Sequence, residues 1–377
     1  LHVETLRYHR GRGWNAPLPT GLDSTQTLVL ALASPMLDEL PRLLEDVRRA
    51  LPKSHLIGCS TAGEIHGGGV FDESLVLAVA RFDRTPLRSA SVPLASASES
   101  RAAGAAIGAQ LASADLRAVF VLSDGLSVNG SALVAGVASA VGEDVKITGG
   151  LAGDGPRFAR TFVIDGERAR PNTVRAVGFY GDRLRFGHGS RGGWDIFGPE
   201  RVITRSEGNV LFELDGRPAL ALYKDYLGDR ASELPAAALL FPLGIRASRT
   251  DPRQLVRTIL SVNEADQSMT FAGDVPQGAI SQLMRANLDR LILGASDAAD
   301  FSLARLSKPS LSIAVSCVGR RLVLGERVEE EIEATIDAMP RGTAQVGFYS
   351  YGEISPTLDG PSGLHNQTMT ITTLAEV

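Results

Sequence analysis

Three short glycine-bearing segments in the first half of the chain carry side chains suited to polar chemistry. They are Cys59-Ser60-Thr61-Ala62-Gly63-Glu64, Ser123-Asp124-Gly125 running on to Asn129, and Gly149-Gly150-Leu151-Ala152-Gly153-Asp154. Glycine lets a backbone approach a ligand closely. Exposed N–H groups with the Ser60 and Thr61 hydroxyls suit a carboxylate, while Glu64, Asp124 and Asp154 suit an ammonium group. A zwitterion such as an amino acid would satisfy both. The same residues also serve as turn formers and helix caps, Asn129 above all. In the second half, Tyr351-Gly352-Glu353 and His365-Asn366 are the matching candidates.

Covalent and cofactor chemistry find less support. Cys59 sits where a nucleophile would, but Gly58-Cys59-Ser60-Thr61-Ala62 lacks the last glycine of a nucleophile elbow and no histidine partner follows from spacing. A cysteine-dependent enzyme is the lesser alternative, and the chain is expected not to be an enzyme. Neither G-x-G-x-x-G nor a Walker-type G-x-x-x-x-G-K occurs. The six histidines are scattered without an i, i+4 metal pair; His188 and His365 stand out because each lies in a glycine-containing loop where an imidazole could face a pocket.

Such loops need a scaffold. The apolar run Thr27 to Leu32, the helically spaced Leu40, Leu43, Leu44, Val47 and Leu51, and the run His55 to Cys59 predict a β-α-β unit with parallel strands. A second alternation follows: a helix over 99–111, a strand over 118–122, a helix over 131–141 and a strand over 145–148. The three candidate segments then follow strands, where open α/β sheets hold ligands. Gly187 to Gly198 reads as a cluster of turns and predicts a boundary between subdomains 1–190 and 191–377. Beyond it, Ile280, Leu283, Met284, Leu288, Leu291 and Ile292 predict one long amphipathic helix, and the alternation from Ser310 to Cys317 predicts a strand. Two last strands, over 345–349 and 368–374, flank a loop holding Glu353 and His365. No tandem repeat with a period of 20 to 50 residues is evident. The expected architecture is α/β, two packed subdomains with mixed sheets.

With 377 residues, 44% hydrophobic and 21% charged, the composition is that of an ordinary globular protein and excludes disorder. A net charge of −5 removes the electrostatic footprint of nucleic-acid binding. Apolar runs such as Leu75 to Ala80 fall far short of the roughly 18 residues that span a bilayer. Two distant cysteines, Cys59 and Cys317, exclude a disulfide scaffold and favour the cytoplasm. The start carries no basic-then-apolar leader, and Leu1 in place of Met suggests an alternative start codon or trimming.

Taken in order, these motifs resemble the FIST sensory domains. The residues that carry the resemblance are Ile57 to Ile65, Ser123-Asp124-Gly125 with Asn129, and Gly149 to Asp154 in the first half. In the second they are Glu213 to Ala219, Cys317 with Gly319-Arg320, Tyr351 to Ile354, and His365 to Thr368. The resemblance implies N- and C-terminal FIST subdomains and a role in sensing small ligands, amino acids being a common suggestion; the chain is expected to be a stand-alone sensor with no resident cofactor. It also implies an alternative, a haem-binding nitric-oxide sensor that regulates a histidine kinase or diguanylate cyclase, for which His188 or His365 would be the axial ligand.

Overall fold

The structure is a computed structural model that describes every residue except 252–253, 305, 307 and 358–359. It is a mixed α/β protein with four sheets. Three of them share one plan. In the first, Thr27–Ala33 and His55–Ser60 lie parallel, linked by helix Leu40–Ala50, and Ser74–Arg81 returns antiparallel beside Thr27–Ala33 with His2–His9 outside it. Leu116–Ser123, Lys146–Leu151, Thr173–Tyr180 and Leu87–Pro93 repeat this order in the second sheet. Leu311–Cys317, Ala344–Ser350, Met369–Glu376 and Leu184–Arg191 repeat it in the third.

Each unit also lends a hairpin to the one before it, in cyclic order. After His55–Ser60, the hairpin Glu64–His66/Gly69–Phe71 pairs with Ala344–Ser350 of unit three. After Lys146–Leu151, the hairpin Val163–Asp165/Arg168–Arg170 pairs with His55–Ser60 of unit one. After Ala344–Ser350, the hairpin Gly352–Pro356/Ser362–His365 pairs with Lys146–Leu151 of unit two. The chain therefore does repeat, three times and at a period much longer than 20 to 50 residues, with cyclic exchange of hairpins.

Local sequence explains the elements. Every residue of Thr27–Ala33 is buried, as a strand covered on both faces requires. Helix Leu40–Ala50 turns Leu40, Leu43, Leu44 and Val47 inward, each burial contributing about 1.5–3 kcal/mol. The glycines Gly58, Gly149 and Gly347 recur in the three second strands. At each, a Cβ would lie 1.8, 1.8 and 2.0 Å from a carbonyl of the neighbouring first strand, respectively.

A fourth sheet is inserted in unit three. Its strands run in the order Leu255–Arg257, Leu243–Arg246, Ile280–Ala286, Arg201–Glu207, Val210–Leu214, Ser268–Phe271 and Ile259–Asn263. The two edge strands are consecutive in the chain, separated by Thr258 alone, so the sheet curls until its edges meet, as in a barrel. Helix Ala219–Leu227 packs Leu220, Tyr223 and Leu227 into its core with Ile203, Leu211 and Phe271.

Three expectations are corrected here. The predicted helix through Ile280 and Ile292 is a strand, Ile280–Ala286, then a helix, Leu288–Leu303; Asn287 breaks them apart by capping the helix, its side chain accepting from Arg290 N at 3.2 Å. The glycines at 187 and 189 do not mark turns but lie in the strand Leu184–Arg191. A Cβ on either would come within 1.9 Å of carbonyl Ser302 or Ala298, so glycine is what lets helix Leu288–Leu303 lie against this strand. Glu353 and His365, read as loop residues, face each other across the hairpin lent to unit two. Among the described residues, no helix is long and apolar enough to cross a membrane.

Candidate functional site

The three crossovers meet at the centre of the molecule and bond to one another in a ring. Ala62 N donates to Tyr349 O at 2.8 Å, Gly153 N to Ser60 O at 3.0 Å, and Tyr351 N to Leu151 O at 3.3 Å. Most sequence-identified candidates converge here, and their polar atoms are paired with the chain itself. Asp124 Oδ1 accepts from Leu126 N and Ser127 N, both at 2.9 Å, and its Oδ2 from the Thr161 hydroxyl at 3.0 Å and Asn172 N at 3.2 Å. Asp154 accepts from Phe158, Ala159 and Arg160 N at 3.0, 2.9 and 2.8 Å and from the Tyr351 hydroxyl. Ser60 Oγ accepts from Phe162 N at 3.1 Å. Gly150 packs against Val315 and Phe348 of unit three.

Glu64 and Glu353 take the same place in two units. Each is the first or second residue of a lent hairpin, in the repeated string Gly-Glu-Ile. Glu64 accepts from the hydroxyl of Thr61 and from Ser74 N and Oγ at 3.2 and 2.6 Å. Glu353 accepts from Ser350 Oγ at 2.7 Å and from Thr368 N and Oγ1 at 3.1 and 3.0 Å. Burial disfavours the charged form and pushes both carboxyls up to about 8. Cys59 lies in the core, and burial pushes its thiol far up, away from the thiolate that a nucleophile needs.

Asn129 and Asn366 do a different job: they hold the inserted barrel to the body. Asn129 caps helix Gly130–Val141 through Ala132 N at 3.1 Å and donates Nδ2 to Asp274 at 2.6 Å. Asn366 Oδ1 accepts from Thr258 N at 3.5 Å. His365 contacts Ser355 O through Nε2 at 3.0 Å, and burial pushes it down to about 4, so it is neutral at physiological pH.

Two open cavities lie away from the crossovers. One, of about 330 Å³, sits where helix Ala219–Leu227 meets the barrel. Phe197, Tyr223, Tyr226, Leu214, Leu243 and Leu283 give it an apolar wall; Arg201, Asp225, Ser281 and Gln282 supply its polar groups. Arg201 engages two of its five N–H groups, Nε with Tyr226 Oη at 2.9 Å and Nη1 with Asp215 at 3.1 Å. Sequence reasoning missed these residues. The one available signal was Tyr223 and Tyr226, one helical turn apart on a short helix.

The second cavity, of about 680 Å³, is lined by His188 with Phe186, Phe301, Pro356 and Pro361, and by Glu143, Asp144 and Lys146. Were a haem held here, His188 beside Phe186 and Phe301 would hold its iron and Lys146 would suit a propionate, whereas Glu143 and Asp144 would oppose one. Of the two candidate axial histidines, His188 alone lines this cavity.

Comparisons with known proteins agree with the motifs. The FIST N domain matches residues 27–217 and the FIST C domain residues 219–356. An uncharacterized protein of Methanocaldococcus jannaschii is 24% identical, the match covering 78% of this chain and 60% of that one. The chain thus spans less than two thirds of that relative. A crystal structure of cyanuric acid hydrolase from A. caulinodans aligns over 99% of this chain and 98% of its own at 13% identity and a TM-score of 0.35, too loose to assign a fold. The two domain matches together cover most of the sequence, and the chain belongs to the FIST family of sensory-domain proteins.

Proposed function

We propose that this chain is a sensor without catalytic activity that takes a small amphipathic metabolite, an amino acid or a close relative, into the barrel cavity and signals occupancy to a partner protein. The supporting observation is the lining of that cavity. Arg201 keeps three N–H groups beyond its two internal bonds, enough to hold a carboxylate. Phe197, Tyr223, Tyr226 and Leu283 offer the apolar surface a side chain would bury, and Asp225 stands beside them for an ammonium group. The crossover residues Ser60, Thr61, Asp124 and Asp154 then build the scaffold that carries the cavity. A histidine kinase or diguanylate cyclase is the proposed receiver of the signal. Titration calorimetry across the proteinogenic amino acids tests the ligand class: saturable binding that weakens at least tenfold in Arg201→Met supports it, and absence of binding by every amino acid removes it.

A second reading rests on His188 in the larger cavity. Haem would supply an iron centre for gas binding there, and His188 would hold it. An absorption spectrum of protein produced with a haem supply, before and after nitric oxide, tests this. A stoichiometric Soret band lost in His188→Ala supports the reading; a colourless protein that takes up no haemin removes it.

A further inference from the structure

We propose that residues 194–287 form a hinged unit that opens away from the three-unit body, pivoting at Arg320 and unlatching along a seam built around Arg257. The seam itself is independent of the function proposed above; only what drives it open, a ligand in the barrel cavity, rests on that reading.

The pivot is where the chain leaves and re-enters the body. It leaves at Gly192-Gly193 and returns at Asn287, and the two crossings touch. A Cβ on Gly193, which has φ of +147°, would lie 2.6 Å from Arg290 O, and one on Gly294 would lie 2.2 Å from Gly192 O. Arg320, wholly buried, donates to Gly192 O at 3.0 Å and to Leu291 O at 2.7 Å. Its Nε donates to the equally buried Glu331 at 2.6 Å, and Glu331 in turn accepts from Ser316 Oγ at 3.2 Å and Tyr349 Oη at 2.9 Å. One ion pair of the body thus holds both ends of the insertion.

The catch carries a dense set of polar bonds beside a limited apolar contact. From the body, Gly130 N donates to Ala272 O at 2.9 Å, Asn129 to Asp274 at 2.6 Å, and Gln367 Nε2 to Leu239 O and Thr258 Oγ1, both at 3.1 Å. From the insertion, Arg257 reaches Ser131 Oγ at 3.1 Å and Leu364 O at 3.3 Å, and within the insertion it also bonds Asp274 O and Val256 O. Among the described residues, the oxygens this buried guanidinium bonds are neutral. Leu239, Leu260 and Ala272 join the main body core, and Trp194 and Met284 pack with Leu291 and Leu324 of the body. Hydrogen bonds exchange with water at small net cost, and interfaces of this polarity within a chain permit relative motion.

Cavity and hinge are joined by the chain. Phe197 to Arg201 is the stretch just inside the entry crossing, and Ser281 to Leu283 lies just before the exit. A ligand gripping both stretches therefore acts on both crossings, which supplies the differential contact needed to shift a two-state equilibrium.

Hydrogen exchange with mass spectrometry on the full chain tests the hinge without a ligand. Arg257→Gln is expected to speed exchange at least tenfold in peptides 129–134, 257–274 and 364–368 while strands 28–33 and 75–80 are unchanged. Gly273→Ala, whose Cβ would lie 2.4 Å from Ser131 Oγ, wedges the same seam by a different route and must give the same pattern. Exchange unchanged in both variants, or raised uniformly through the body, overturns the proposal. Adding L-phenylalanine or L-leucine to the unaltered chain is the separate arm. If the variants open the seam and these ligands leave it closed, the hinge stands and its opening by these amino acids falls, while the calorimetry decides whether amino acids bind at all.

Discussion

Glu64 and Glu353 lie at equivalent points of two units, each in a Gly-Glu-Ile string at the start of a hairpin lent to a neighbouring sheet, and each held by two hydroxyls and one backbone N–H. Neither opens into the cavities. Each ties the crossover to the start of the return strand of its own unit, Ser74 or Thr368. In the second unit Asp124 does this work from the end of the first strand, accepting from Asn172 N and Thr161.

The two glutamates make stability depend on pH. Their folded values near 8 lie above the unfolded value of 4.5, so the folded chain binds more protons than the unfolded one between these limits. The stability these two groups contribute therefore falls as pH rises from about 4.5 to about 8, and the loss levels off above that. Glu64→Gln with Glu353→Gln should flatten this slope and make the variant the more stable of the two at pH 8.5, relative to their difference at pH 5. Denaturant melts across pH 5 to 8.5 check it; parallel slopes in the two proteins would count against the assignment.

Arg320 and Glu331 form a pair with both side chains fully buried. Removing one partner leaves a buried charge without compensation, so Glu331→Ala should cost about 3–5 kcal/mol. Arg320→Met with Glu331→Leu should recover most of that cost. A double-mutant cycle by chemical denaturation measures the coupling.

Gly149→Ala should cost about 3 kcal/mol or more. The residue has φ of +138°, and its Cβ would lie 1.8 Å from Val121 O, so both backbone strain and overlap with a strand carbonyl oppose the change. Gly142→Ala is the control: φ is also positive at +91° but nothing lies within 4 Å, so its cost should be smaller. Thermal melts of the two variants decide.

Cys59 and Cys317 are buried free thiols whose ionisation is pushed far up by burial. Ellman's reagent should label neither in the native chain at pH 8 and both in denaturant. Rapid labelling of native Cys59 would revive the cysteine-enzyme reading.

The separate elements were readable because their causes are local. The run Thr27 to Leu32, the spacing of Leu40 to Leu51 and the cap at Asn129 each depend on residues within a turn or two. The family motifs were readable for a related reason: glycines at 58 and 149 are forced by a strand carbonyl 1.8 Å from where a Cβ would lie, and glycine at 63 by its φ of +132°. Their role was not. A glycine that admits a ligand and one that admits a neighbouring strand have the same sequence, and only the position of Val121 O or of Ala62 tells them apart.

The sequence by itself determined the α/β class, most helices and strands, and the FIST motifs. Only the tertiary structure decided which sheet each short hairpin joins, that three units exchange them in a ring, and that a barrel is inserted between Gly192 and Asn287. The reason is that strand pairing is non-local. A three-residue strand such as Glu64–His66 carries too little pattern to name its partner, and its partner Ala344–Ser350 is distant in the chain but within reach once the crossover is made. The cavity shares this origin, since Phe197, Arg201, Tyr223 and Leu283 become neighbours only when the barrel closes.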